Sequence, residues 1–213
     1  MKKILFQGDS VTDSERSRNY DGNVGYGYAL LVKARLGLDY PNEYEFLNRG
    51  IGGNRIIDLY ARIKEDIINL RPDYMSILIG VNDVGHEFSG NNGVDAQKYE
   101  KIYSMMIEEI KAELPDIRIM IMEPFCLKGR ATENTEERPD KWNEFNTELR
   151  IRAAKARAIA EKYGLPFIPL QQKLDDCSLK TGATYLLGDG VHPTAMGHEL
   201  IAREWIKAFN EIK

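Results

Sequence analysis

The chain has 213 residues, 43% of them hydrophobic and 29% charged, a balance that fits one globular domain and excludes a disordered polymer. Its 29 Lys and Arg against 33 Asp and Glu leave a net charge of −4. That argues against a nucleic-acid binder, whose phosphate-neutralising face usually makes the domain basic, and it offers no polybasic anchor for a membrane surface.

Taken in chain order, Met1-Lys2-Lys3 resembles the start of a signal peptide, but the apolar run behind it is only Ile4-Leu5-Phe6 before Gln7-Gly8-Asp9. No stretch approaches the length of a membrane span, so the expectation is a cytoplasmic protein. Cys126 and Cys177 show no zinc-ligand spacing and read as thiols of a reducing compartment. Lys3–Gln7 is the first predicted strand, followed by Glu45–Asn48, Tyr74–Ile79, Arg118–Met122 and Pro166–Leu170. Several are apolar nearly throughout, the pattern of parallel strands covered on both faces. Between them a helical period places Ile56, Tyr60, Ile63, Ile67 and Leu70 on one face. The same period aligns Tyr99, Tyr103, Met106 and Ile110, then Phe145, Leu149, Ala153, Ala156 and Ala160, and last Ile201, Trp205 and Phe209. This alternation predicts a three-layer α/β/α sandwich, a single domain over residues 1–213 built on a mostly parallel five-stranded sheet. Ser14–Asn23 and Lys128–Lys141 are polar and aperiodic and predict loops.

The strand ends carry the chemistry. The first strand runs into Gly8-Asp9-Ser10, the second into Asn48-Arg49-Gly50-Ile51-Gly52-Gly53-Asn54, the third into Gly80-Val81-Asn82-Asp83 and the fourth into Glu123-Pro124. One such turn is only a turn. The carboxyl ends of parallel strands share one rim, however, and ligands bind in the crevice there, so four turns on that edge make a site. Near the C-terminus stands Asp189-Gly190-Val191-His192-Pro193. A serine nucleophile needs an imidazole base, and the imidazole needs a group to orient its other nitrogen. Asp189 and His192 could lie side by side in that bend, with Pro193 opening the final helix. Of the other two histidines, His198 lies inside that helix and reads as packed or exposed, while His86 follows the Asn82 turn and could line the cleft.

Gly8-Asp9-Ser10, a glycine in the turn after the second strand, Gly80-x-Asn82-Asp83 and Asp189-x-x-His192-Pro193 together resemble the four blocks of the SGNH, or GDSL, hydrolases, in that family's order and across nearly the whole chain. The resemblance implies a flavodoxin-like α/β/α fold with Ser10 as nucleophile, His192 as base and Asp189 as its orienter. It also implies an oxyanion hole from the Ser10 N–H, the Asn82 amide and the N–H of Gly53, with Gly52 an open alternative. Asp9, Asp83, His86, Glu123 and Gly52 are candidate substrate contacts, although Asp9 and Asp83 also read as turn residues that pin the loops by accepting backbone N–H groups, and neither a metal nor a cofactor is implied. NRGIGGNRIIDL, DYMSILIGVNDV and DGVHPTAMGHELIAREWI are similar to the intracellular acetylxylan-esterase type. Members of that type take acetyl groups from xylo-oligosaccharides and tend to form homo-oligomers. They often carry tryptophan after the Asn-Asp-Val turn and before the catalytic aspartate, where this chain has Gly85 and Gly188, which implies a more open pocket.

The expected partner is therefore a small acylated substrate, an acetylated sugar foremost. Three rivals stand beside this reading. A thioesterase or lysophospholipase would share the chemistry but need a longer acyl channel. A metal-dependent phosphoesterase would use Asp9, Asp83, Glu123 and Asp189 as hard ligands. A catalytically silent sugar-binding protein would have no need of Ser10, Asn82, Asp189 and His192 together.

Overall fold

Strands with no polar face are stable only when helices cover both sides of the sheet. The structure, a computed structural model, describes residues 1–213. Its five strands are β1 (Lys2–Gly8), β2 (Tyr44–Asn48), β3 (Tyr74–Leu78), β4 (Arg118–Met122) and β5 (Phe167–Ile168). They pair in the order β2-β1-β3-β4-β5, and every pairing is parallel. The sheet is thus entirely parallel, and the α/β sandwich is the architecture the strand and helix alternation predicted.

The two-residue period of the strands divides the core. Ile4, Phe6, Tyr74, Leu78, Met120 and Met122 face one layer, where α2 (Tyr28–Asp39), α8 (Gln171–Thr181) and α10 (Ala195–Ile212) supply Val32, Leu174, Trp205 and Phe209. Leu5, Met75, Ile77, Ile119 and Ile121 face the other, against α3 (Ile56–Ala61), α6 (Ala96–Glu113) and α7 (Lys141–Tyr163). Trp205 stacks on Phe209 at 5.0 Å and tilts onto Phe6 at 5.4 Å, joining α10 to β1. Truncating such a fully buried aromatic typically costs about 3–5 kcal/mol. A third, smaller cluster of Val81, Val84, Cys126, Phe145, Leu149 and Val191 lies at the carboxyl rim of the sheet.

The helical stripe from Ile56 to Leu70 is not one helix. It breaks at Arg62 into α3 and α4 (Ile63–Asp66) and ends in a 3-10 turn over Ile68–Leu70. Arg62 leaves helical geometry (φ −111°, ψ 19°), and its guanidinium bonds Asn54 Oδ1, the Arg49 carbonyl, Gln7 Oε1 and Asp66. Three helices longer than a single turn escaped the periodicity: α2, α5 (Val81–Gly90) and α8. In α2 Leu38 is exposed, which blurs the apolar stripe, and α8 buries only Gln171 and Leu174. No helix in the chain is long and apolar enough to cross a membrane.

Candidate active site

Ser10 owes its place to the residues on either side of it. At Gly8 a Cβ would lie 2.4 Å from the Leu78 carbonyl and 2.5 Å from Thr12 Oγ1, so only glycine lets β1 turn so tightly into the next helix. That helix is the single turn α1 (Ser10–Asp13), and Asp9 caps it by accepting the Val11 N–H at 3.0 Å. Asp9 is buried, and burial pushes its pKa up to about 7 against the lowering pull of the Val11 N–H and His192.

His192 comes from the opposite end of the chain. Asp189 Oδ1 accepts the backbone N–H groups of Val191 at 2.9 Å and His192 at 2.8 Å, and Asp189 Oδ2 lies 2.8 Å from His192 Nδ1. Burial would raise the Asp189 pKa, but these hydrogen bonds outweigh it and hold the carboxyl below its ordinary value. With Nδ1–H donating to this carboxylate, the Nε2 lone pair faces Ser10 Oγ at 2.9 Å. The bend depends on Gly190, at φ 95° and with a Cβ position 2.6 Å from the Leu127 carbonyl. It is pinned from the Lys128–Lys141 loop, where Ala131 N–H donates to the Asp189 carbonyl, and from the residue before that loop, Leu127, whose N–H donates to the Gly190 carbonyl. Pro193 does not open the last helix. Thr194 caps it, its Oγ1 accepting the Gly197 N–H, and Pro193 instead bridges to Leu187.

Three candidate donors stand in the turns that follow β1, β2 and β3 on this rim. The N–H groups of Ser10 and Gly53 have no partner within the chain. Gly52, the alternative, is engaged: its N–H donates to Asp13 Oδ2 at 3.0 Å, and Arg18 holds the same carboxylate. Asn82 follows β3 in the first turn of α5 (Val81–Gly90), and its Nδ2 donates to the Asn54 carbonyl at 3.1 Å. One amide proton is thereby fixed and the other remains available.

Three of the acids expected to touch substrate do not reach the cleft. Asp83 is fully buried and accepts the Ile56 N–H, tying α3 to α5, with burial and the neighbouring Asp9 raising its pKa to about 7. Asp9 is the cap already described. Glu123 points away along the rim, where its Oε2 accepts the N–H groups of Leu170 at 2.7 Å and Gln171 at 2.9 Å. These carboxylates sit in motif turns because turns supply unpaired N–H groups, the role the sequence suggests for Asp9 and Asp83 and the signal that could have marked Glu123 as well. No three His, Cys, Asp or Glu side chains gather into a metal-binding group, so the four-acid arrangement of a metal phosphoesterase is not formed. His86 does reach the site. With Asn82 and His192 it lines a cavity of about 320 Å³ whose apolar walls include Val81, Phe88, Phe145 and Val191.

A serine, an imidazole and a carboxylate in hydrogen-bond series, beside unpaired N–H donors on the rim of a parallel sheet, have the chemistry that a hydrolase site requires. The chain belongs to the GDSL-like lipase/acylhydrolase family, whose model matches residues 6–200, and is a carboxylic ester hydrolase. An acetylxylan esterase of Geobacillus stearothermophilus is 30% identical over 97% of this chain and 93% of its own length. The structure of its catalytic mutant with an aspartate replaced superposes with a TM-score of 0.84. A protein from Parabacteroides merdae designated a GDSL-like lipase is 33% identical with a TM-score of 0.88, over 98% of this chain and 95% of that one.

Proposed function

We propose that this protein is a serine esterase that removes short acyl groups, acetyl foremost, from sugars such as xylo-oligosaccharides. The observation that carries the reading is the unbroken series from Ser10 Oγ through His192 to Asp189, at 2.9 and 2.8 Å. Catalytic mutants of the acetylxylan esterase replace one serine, one aspartate and one histidine with alanine, the same three residue types.

In the first half-reaction His192 Nε2 takes the Ser10 proton as Oγ bonds to the carbonyl carbon. The charge that develops on the carbonyl oxygen is met by the Ser10 and Gly53 N–H groups and Asn82 Nδ2, donors already in place before the reaction. Asp189 stabilises the imidazolium and keeps its tautomer. The alcohol leaves with the proton from His192. Water then attacks the acyl-Ser10 ester by the same route in reverse.

The test is hydrolysis of p-nitrophenyl acetate by wild type and Ser10→Ala, with and without EDTA, followed by acetylated xylo-oligosaccharides. Acetate turnover lost in Ser10→Ala and indifferent to EDTA is the expected result. Activity that survives the substitution would overturn the assignment of Ser10.

A further inference from the structure

The cavity beside Asn82 and His192 is larger than an acetyl group needs. At about 320 Å³ it reaches the lower end of the roughly 300–1,000 Å³ typical of sites that enclose whole small molecules. Its buried walls, Val81, Phe145 and Val191, belong to the third core cluster and are held by packing independent of any ligand. Phe88 meets Phe145 with ring centroids 5.5 Å apart at 50°, and the Arg138 guanidinium covers Phe88 at 5.0 Å. Gly85 lines the same cavity, and a Cβ there would find only Phe145 Cε2 at 3.8 Å. At Gly188, beside Asp189, a Cβ would meet nothing nearer than 4.0 Å. Gly85 thus leaves the cavity open where a larger side chain would narrow it.

We propose that this cavity is an acyl pocket for groups larger than acetyl, and that aromatic acyl esters of the benzoyl type are substrates; the proposal rests on the esterase reading. Polarity assigns the pocket to the acyl side. A sugar ring pressed against Val81, Phe88, Phe145 and Val191 would strip water from the hydroxyls on that side, with only His86, Ser89 and Lys141, apart from Asn82 and His192, on the rest of the lining to bond the others. A planar aromatic acyl group has no such demand and can add a third ring to the tilted Phe88–Phe145 pair. The chemistry is unchanged: the Ser10 Oγ–acyl bond forms as the ester C–O bond breaks and the alcohol takes the proton from His192. Water then cleaves the acyl-enzyme and releases the aromatic carboxylic acid.

The experiment compares kcat/KM for p-nitrophenyl acetate, butyrate and benzoate, each divided by its rate of alkaline hydrolysis, in wild type, Gly85→Leu and Gly85→Trp. A second series holds the acetyl group constant and varies the alcohol, and circular dichroism checks that each variant is folded. The expected wild-type benzoate value is at least one-tenth of that for acetate. In the variants the benzoate-to-acetate ratio falls at least tenfold for Trp and by a smaller factor for Leu. A wild-type benzoate value below one-tenth overturns the proposal, as does a ratio that neither substitution moves. A change confined to the alcohol series would place the alcohol in this cavity and overturn it too. Absence of turnover with every ester would instead overturn the esterase reading.

Discussion

His198 holds the end of the short helix that carries Ser10: its Nε2 lies 3.3 Å from Ser14 Oγ, while its Nδ1 accepts the Tyr28 N–H at 3.1 Å. Because Nδ1 is an acceptor, the proton of the neutral ring is on Nε2. It is donated to Ser14 Oγ, which itself donates to the Val11 carbonyl. One imidazole on α10 thus joins the first turn of α2 to the close of α1. Substituting His198→Phe leaves the buried Tyr28 N–H unpaired and should lower stability by about 1–3 kcal/mol. Urea denaturation at pH 7 measures it, and an unchanged midpoint would show that the bridge contributes nothing.

The same residue should make the fold sensitive to acid. Burial, aided by the charge of His192, lowers the His198 pKa from 6.5 to about 4. Below pH 6.5 the unfolded chain takes up a proton that the folded one refuses, so stability falls between 6.5 and about 4 and levels off below. Asp83 works in the opposite direction: its raised pKa means that its contribution declines as pH rises from 3.8 to about 7. His198→Phe should therefore flatten the acid side of the stability profile, and Asp83→Asn should lessen the decline toward neutrality, leaving the share of Asp9, whose pKa burial likewise raises to about 7. Denaturation midpoints at half-unit steps from pH 4 to 8 would separate the two.

Asn82→Ala should lower kcat by roughly 100- to 1,000-fold and leave KM nearly unchanged, because the lost donor meets charge that exists only in the transition state. Steady-state kinetics with p-nitrophenyl acetate check this. A change in KM alone would remove Asn82 from the oxyanion hole.

Asp189→Asn tests the orientation of the imidazole. An amide at 189 can still accept the Val191 and His192 N–H groups, so the bend should survive. Its NH2 group favours the wrong tautomer of His192, and kcat should drop by about 10⁴-fold, as in the serine-protease triad where this exchange has been measured. Intact near-ultraviolet circular dichroism with a thousandth or less of the activity is the expected pair of results.

Glu123→Ala should cost about 1–2 kcal/mol through the loss of a cap on α8, with KM unaffected. Urea denaturation and steady-state kinetics on p-nitrophenyl acetate together decide it. A raised KM would return Glu123 to the substrate cleft.

The local alphabet of this chain settled much in advance. Apolar runs such as Tyr74–Leu78 can be stable only in a covered parallel sheet, and the turns after them carry Ser10, Gly53 and Asn82 to one rim whatever the details of packing. Asp189 and His192 are three residues apart, so their contact too is local enough to read. What needed the third dimension was the assignment of each backbone donor and each carboxylate. Gly52 and Gly53 are neighbours of identical composition, and only the approach of Asp13 engages the N–H of the first. Asp9 and Asp83 read as turn acids from the sequence, but only packing names Val11 and Ile56 as their partners, and only the approach of Leu170 and Gln171 shows Glu123 to be a tie. Ser10 and His192 are 182 residues apart, and no pattern along the chain states their 2.9 Å contact. Periodicity reports which face of a segment is buried, whereas a hydrogen bond depends on which group from elsewhere arrives there, and that is decided by packing.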